Sequence, residues 1–296
     1  MTHESVSKRW ILLLVLVSAI AAGCSNTTST DNAVNSVRLY VLDGGVLASD
    51  PARYELTADD VETSDLSVAA YLILHPRGVL LWDTGAVPDE ERVGAESGAA
   101  QHLVLANGQD RNMILGPTLL SQLAAIGLAP MDVTHLALSH YHWDHSANAN
   151  KFARAQWLVR QVERDAMFAQ EPEGSVRPAT YADLANSPTT ILTEDEHDVF
   201  ADGTVIIKSA SGHTPGHQVL YVKLANTGGV LLSGDLYHYP AERTLGRLPT
   251  FEFDKNQTVM SRQDVEAFLA RNGAQLWIQH DLPSHQKLKK APEYYD

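Results

Sequence analysis

Alternation of apolar and polar residues, together with short unbroken apolar runs, divides most of the chain into strands. Val37 to Asp43 (VRLYVLD) alternates as a half-buried strand does, and Gly44-Gly45 is expected to end it. Ser67 to Leu74 and Val79 to Trp82 are two more apolar runs, with His75-Pro76-Arg77-Gly78 between them as a hairpin turn. Thr134 to Leu138, Gln156 to Arg160, Thr204 to Ala210, Gln218 to Leu224, Gly229 to Leu232 and Gln275 to Gln279 also read as strands. Helical spacing appears in three places. Thr118 to Gly127 carries Leu119, Leu120, Leu123 and Ile126, and Gln161 to Ala169 follows a strand directly. Thr258 to Ala270 is predicted to turn Val259, Val265, Phe268 and Leu269 inward, and Asn272-Gly273 stops it. Pro88 to Met113 is acidic, then polar, with little periodicity, and predicts a long surface excursion of the kind that forms lids and binding loops. Strands, a helix within the run, then strands and helices again predict a mixed α/β (α+β) layer protein rather than a strictly alternating one.

The first residues change the picture of where the chain works. Lys8 and Arg9 precede the apolar run Trp10 to Ala22, too short for a comfortable membrane span and closed by small residues before a cysteine. The segment 1–23 therefore reads as an export signal, and Ala21-Ala22-Gly23-Cys24 resembles the lipobox of bacterial lipoproteins, in which the cysteine is acylated. A simple signal peptide cut nearby and an uncleaved anchor are the alternatives. Residues 24–36 are polar and read as a flexible tether, leaving 37–296 as one large domain. Ser25 after the cysteine, by resemblance to enterobacterial lipoproteins, implies an outer-membrane anchor facing the periplasm. Cys24 is the only cysteine, so the core must be stable without an internal disulfide. With 22 basic against 36 acidic residues the net charge is −14, which repels nucleic acid as substrate or partner.

The candidate chemistry is concentrated in Ser139-His140-Tyr141-His142-Trp143-Asp144-His145. Residues two apart in an extended chain point the same way, so His140 and His142 can grip one metal side by side. Asp144 and His145 must face apart unless the chain bends, and a bend would hand both to a second ion. Ser211-Gly212-His213-Thr214-Pro215-Gly216-His217 is a rigid turn after a strand, with His213 the natural third ligand of the first metal and His217 more suited to support. Asp235 follows the strand Val230 to Leu232, and its two oxygens can bridge two cations. His280 stands just beyond the last strand. Asp83, in Asp83-Thr84-Gly85, either accepts a hydrogen bond from a ligating histidine or simply forms a turn.

The order His140-x-His142-x-Asp144-His145, then His213, Asp235 and His280, resembles the dinuclear metallo-β-lactamase superfamily. That resemblance implies a four-layer αββα sandwich with two zinc ions at one edge of its sheets. Within the superfamily, Leu42-Asp43-Gly44-Gly45, the HTPGH run at 213–217 and Gly234-Asp235-Leu236-Tyr237 are similar to N-acyl homoserine lactonases. In that family a tyrosine shortly after the bridging aspartate contacts the lactone carbonyl, which implies this role for Tyr237. It lies two residues after Asp235 rather than three, and a purely structural tyrosine is the alternative.

Two zinc ions sharing Asp235 would hold a hydroxide, bring its pKa toward ~7 and open a lactone or ester without a side-chain nucleophile. Tyr237 would meet the oxyanion, and Asp144 or Asp235 would relay a proton to the leaving alkoxide. Exported organophosphate triesterases share the ligand set and are the nearest enzyme alternative. A metal- or ligand-binding lipoprotein is the alternative of another class. A homodimer is compatible with the sequence.

Overall fold

The computed structural model describes residues 1–2, 36–94, 97–172 and 174–296, and its compact unit is Val34–Asp296. The export segment, Cys24 and the tether lie, apart from Met1, Thr2 and Ser36, outside the described residues. Its strands, in chain order, are β1 (Arg38–Leu47), β2 (Leu66–His75), β3 (Gly78–Trp82), β4 (Ala100–Val104), β5 (Asp110–Leu115), β6 (His135–Ala137), β7 (Gln156–Val159), β8 (Thr189–Ile191), β9 (Glu196–Asp198), β10 (Val205–Ser209), β11 (Gln218–Leu224), β12 (Gly228–Leu232) and β13 (Gln275–Trp277). The helices are α1 (Leu119–Ile126), α2 (Trp143–Ser146), α3 (Gln161–Met167), α4 (Pro240–Leu245), α5 (Lys255–Asn272) and α6 (Leu282–His285). Eight strands form one sheet in the order β4-β5-β1-β2-β3-β6-β7-β8, and five form a second in the order β13-β12-β11-β10-β9.

The period of two along each strand builds the layers. On β2, Ala69, Tyr71 and Ile73 point to one side and Ala70 and Leu72 to the other. The first set packs with Leu80 and Trp82 of β3 against Ile207, Leu220, Val222, Val230 and Leu232 of the second sheet, forming the core between the sheets. The second set packs with Leu81 and Trp157 against Leu119 and Leu123 of α1 and Met167 of α3. Beyond the second sheet, Val219, Tyr221 and Leu231 face Val265, Phe268 and Leu269 of α5. The result is helix, sheet, sheet, helix, the four-layer αββα sandwich. Among the described residues no helix is long and apolar enough to cross a membrane.

Four departures from the sequence reading have local causes. Gly44-Gly45 does not end β1, because the strand continues to Leu47 through a bulge there. Gly45 adopts φ +103°, where a Cβ would lie 2.1 Å from the Ile114 carbonyl oxygen. The excursion between Pro88 and Met113 contains the hairpin β4-β5, whose inward positions include polar Gln101 and so lack the apolar alternation of an ordinary strand. Val259 is exposed at 40 %, because the buried positions of α5 run Thr258, Arg262, Val265, Leu269 at intervals of four, three and four, and residue 259 falls off that face. β13 stops at Trp277, before Gln279.

Leu80 lies between the sheets with no exposure. Leu80→Ala is expected to lose about 2–5 kcal/mol of unfolding free energy in a urea titration. Val259→Ala should change it by no more than about 0.5 kcal/mol.

Candidate metal centre

Strand ends bring the candidate ligands together. β3, β6 and β7 run parallel in the first sheet, and β12 and β13 run parallel in the second, so the residues that follow β6, β12 and β13 emerge at one edge of the sandwich. His140 and His142 leave β6 in extended conformation, and α2 then turns the chain. A helical step of ~100° replaces the 180° of a strand, which lets Asp144 and His145 face the same centre. His213 comes from the loop between β10 and β11, Asp235 from the turn after β12, and His280 from the end of β13. All seven are buried. His140, His142, His213 and Asp235 form one group whose ligating atoms all lie within 4.8 Å of one another, and Asp144, His145 and His280 form another.

Asp235 stands between them. Its Oδ2 lies 3.6 Å from His140 Nε2 and 3.4 Å from His213 Nε2. Its Oδ1 lies 3.1 Å from His145 Nε2 and 3.0 Å from His280 Nε2. His142 Nδ1 completes the first group, 2.9 Å from His140 Nε2 and 3.0 Å from His213 Nε2. Asp144 reaches within 3.9 Å of His145 Nε2 and 3.8 Å of His280 Nε2.

The far side of each ring decides which nitrogen is an acceptor. His280 Nδ1 donates to the Ser67 carbonyl at 2.7 Å. His145 Nδ1 donates to Asp83 Oδ2 at 2.9 Å, and His213 Nδ1 to Glu252 Oε1 at 2.9 Å. In the neutral rings the Nε2 lone pairs therefore point at the Asp235 carboxylate, acceptor against acceptor. His145 Nε2 and Asp235 Oδ1 are buried and have no well-formed hydrogen bond. Such an arrangement requires positive charge between the groups, and nitrogen and carboxylate donors so placed suit zinc. Burial, reinforced by neighbouring imidazoles, holds His140 and His142 well below the ordinary histidine pKa, in the neutral form that ligates. At His145 burial pulls the same way, but the carboxylates of Asp235, Asp83 and Asp144 outweigh it and hold the ring well above its ordinary value.

Of the residues that support the cage, Asp83 and His217 answer to the sequence reading, whereas Gln279, Glu163 and Glu252 escaped it. Asp83 is both a turn residue, at φ +60°, and a clamp: it accepts from the Ser139 amide at 2.6 Å, the Ser139 hydroxyl at 3.0 Å and the Gln279 side-chain amide at 2.8 Å, besides His145. Gln279 thus ties the second sheet to the first. His217 supports rather than faces the cage, accepting from the Asp235 amide at 2.9 Å and donating to the Ala210 carbonyl at 3.0 Å. Gly234, at φ +49°, leaves room for that contact, because a Cβ would lie 2.7 Å from His217 Nε2. Glu163 of α3 joins two ligand loops: it accepts from the amide of Tyr141, between His140 and His142, and from the Thr214 hydroxyl and Gly216 amide beside His213. Nothing in its local sequence distinguishes it from a solvent-facing helix residue. Glu252 lies in a stretch with no periodicity.

A family model of the metallo-beta-lactamase superfamily matches residues 63–271. The chain belongs to the metallo-beta-lactamase superfamily. Among curated relatives, the N-acyl homoserine lactonase AttM of Azorhizobium caulinodans is 27 % identical over 274 residues, spanning 89 % of this chain and all of that protein. Among solved structures, a variant of Bacillus thuringiensis AiiA with N-decanoyl-L-homoserine at its active site superposes with a TM-score of 0.72 at 22 % identity, covering 88 % of this chain and 99 % of that one. AidC, a dizinc quorum-quenching lactonase in complex with N-hexanoyl-L-homoserine, superposes with a TM-score of 0.63 at 17 % identity over 88 % of this chain and 94 % of that one.

In this metallo-beta-lactamase superfamily member Tyr237 does not reach the metal centre, contrary to the role inferred for it. Its ring packs in the α5 layer beneath the Arg262 guanidinium, 4.3 Å away, and its hydroxyl donates to Glu266 at 3.2 Å. Two residues after Asp235 the extended chain points the side chain to the wrong face of the turn. His238, one residue later, faces the centre instead, with Nε2 3.0 Å from Asp235 Oδ2 and its ring 4.6 Å from that of Tyr54. It lines a cleft of about 120 Å³ together with His142, Asp144, Asp235, His280 and Phe251.

Burial pushes the Glu163 carboxyl up to about 7, against the hydrogen bonds from Gly216, Thr214 and Tyr141 that favour its ionised form. Between its unfolded value of ~4.5 and about 7 the folded chain therefore keeps a proton that the unfolded chain releases, and this contribution to stability falls as pH rises. Urea midpoints measured from pH ~5 to ~8 with zinc held saturating should show a decline that Glu163→Gln removes. An equal pH slope in the two proteins would contradict this assignment.

Proposed function

We propose that the chain is a dinuclear zinc hydrolase that opens the lactone ring of N-acyl homoserine lactones. One observation carries the metal part: a single buried carboxylate, Asp235, meets acceptor nitrogens from two separate groups on its two oxygens. The lactone part rests on the curated relatives, named N-acyl homoserine lactonases and matched over most of this chain. Divalent zinc ions, when bound, supply an activated water at neutral pH and polarise the scissile carbonyl. His140, His142 and His213 would hold one ion, Asp144, His145 and His280 the other, with Asp235 shared.

The remaining steps belong to the chain's own side chains. His238 Nε2 must donate to the Asp235 carboxylate it faces, so it is an N–H donor on the cleft wall, placed to turn toward the oxyanion as the carbonyl carbon becomes tetrahedral. Tyr54 and Phe251 pack on its ring and limit its orientation. Ring opening leaves an alkoxide, and Asp144, whose carboxylate borders the same cleft, or Asp235 is placed to relay to it the proton that the attacking water gives up. We propose further that the enzyme is exported and anchored through an acylated Cys24, on the pattern of residues 1–24.

The test is a substrate panel of acyl homoserine lactones, phosphotriesters and β-lactams with zinc-loaded protein and two variants. Lactones are expected to be the best substrates. His238→Ala should lower lactone kcat by at least about tenfold, the usual scale for losing an oxyanion donor being ~10²-fold or more. Tyr237→Phe should leave it within about twofold. A phosphotriester turned over faster than every lactone would replace the lactonase reading, and a slow Tyr237→Phe with a fast His238→Ala would reverse the residue assignment.

A further inference from the structure

The wall of the cleft away from the histidines is cationic. Arg53, in the short 3-10 turn Pro51–Tyr54, and Arg111 of β5 both line the same cleft as Asp144, His238 and His280. Both side chains are half-buried, and in a chain with net charge −14 neither forms an ion pair among the described residues. Arg53 lies over the Phe251 ring, its Cζ 4.6 Å from the centroid, and its guanidinium makes no hydrogen bond among the described residues. Arg111 spends only part of its donor fork, on the Asp110 carbonyl at 2.9 Å and the Gln109 side chain. The β4-β5 hairpin is held over the cleft, since Gln109 also accepts from the Ser175 hydroxyl at 2.9 Å, and Ser175 accepts the Trp143 amide beside the metal cage.

Two like charges held toward one cavity repel each other. Burial first, and then the charge of Arg53, lower the pKa of Arg111, with Asp144 opposing them. Asp144 and Asp110 lie near Arg111, but among the described residues no carboxylate of the chain pairs with either guanidinium, so the two forks are suited to a carboxylate brought in by a ligand, which both can meet in bidentate fashion. A purely apolar acyl chain would instead have to desolvate both cations and give nothing in return.

We propose that Arg53 and Arg111 form an anion subsite that selects lactones whose acyl arm ends in a carboxylate. This rests on the lactonase reading and adds the identity of the acyl arm to it. The bond broken is the same ring ester, water supplying the hydroxyl of the new acid and the proton of the new alcohol, so the subsite acts on binding alone.

The experiment compares kcat/KM for two substrates of equal acyl length, N-hexanoyl-L-homoserine lactone and N-(5-carboxypentanoyl)-L-homoserine lactone, on zinc-loaded full-length protein. The native enzyme should prefer the carboxylated substrate by about tenfold or more, a preference that shrinks as NaCl is raised from ~50 to ~500 mM. Arg53→Met and Arg111→Met should each cut that preference by about tenfold, and Arg53→Lys, which keeps the charge, should retain part of it. A native preference for the neutral lactone, or a preference unmoved by salt and by both substitutions, overturns the subsite while leaving the lactonase reading intact. If neither lactone is hydrolysed, the lactonase reading fails, and phenyl hexanoate against monophenyl adipate puts the same question to the arginines. No preference for the acidic ester there overturns the subsite as well.

Discussion

The opposition between the Asp235 carboxylate and the histidine lone pairs aimed at it is the constraint on which the rest of the site depends. Without a cation it would be repulsive, yet the protein fixes it from every side. The Ser67 carbonyl, Asp83 and Glu252 each take the outward N–H of one imidazole, so His280, His145 and His213 cannot relax by turning their donors inward. The amide of Asp235 is itself anchored on His217. The same contacts join the layers: Asp83 lies at the end of β3 in one sheet and receives Gln279 from the end of β13 in the other, and Glu163 ties α3 to both histidine loops. The αββα sandwich brings four chain segments to one edge, and these polar links fix them relative to one another.

The metal centre was legible because its information is local. His140, His142, Asp144 and His145 declare themselves by spacing, and His213, Asp235 and His280 each follow a strand whose apolar run is unmistakable. What the sequence hid was orientation and long-range partnership. Tyr237 and His238 are neighbours of equal chemical promise, and only the turn after β12 decides that the first enters the α5 layer and the second the cleft. Glu163, Gln279 and Glu252 act on site residues 22 to 196 positions away, beyond the reach of any periodicity. The bulge at Gly44 and the β4-β5 hairpin were missed because glycine and glutamine stand where an apolar residue would announce a strand.

The two halves of the cleft divide the labour. The buried half carries the charge-hungry cage and the His238 donor, closed by Tyr54 and Phe251. The other half carries Arg53 on a short 3-10 turn and Arg111 on β5, in the β4-β5 hairpin at one edge of the first sheet.

The central claim is that two cations share Asp235, and metal content tests it directly. Full-length protein equilibrated with excess zinc and freed of unbound metal should carry about two zinc ions per chain by elemental analysis, falling below two in Asp235→Asn as both groups lose the anionic, two-oxygen donor they share. One zinc per chain at saturation, or two retained undiminished by Asp235→Asn, would contradict the account.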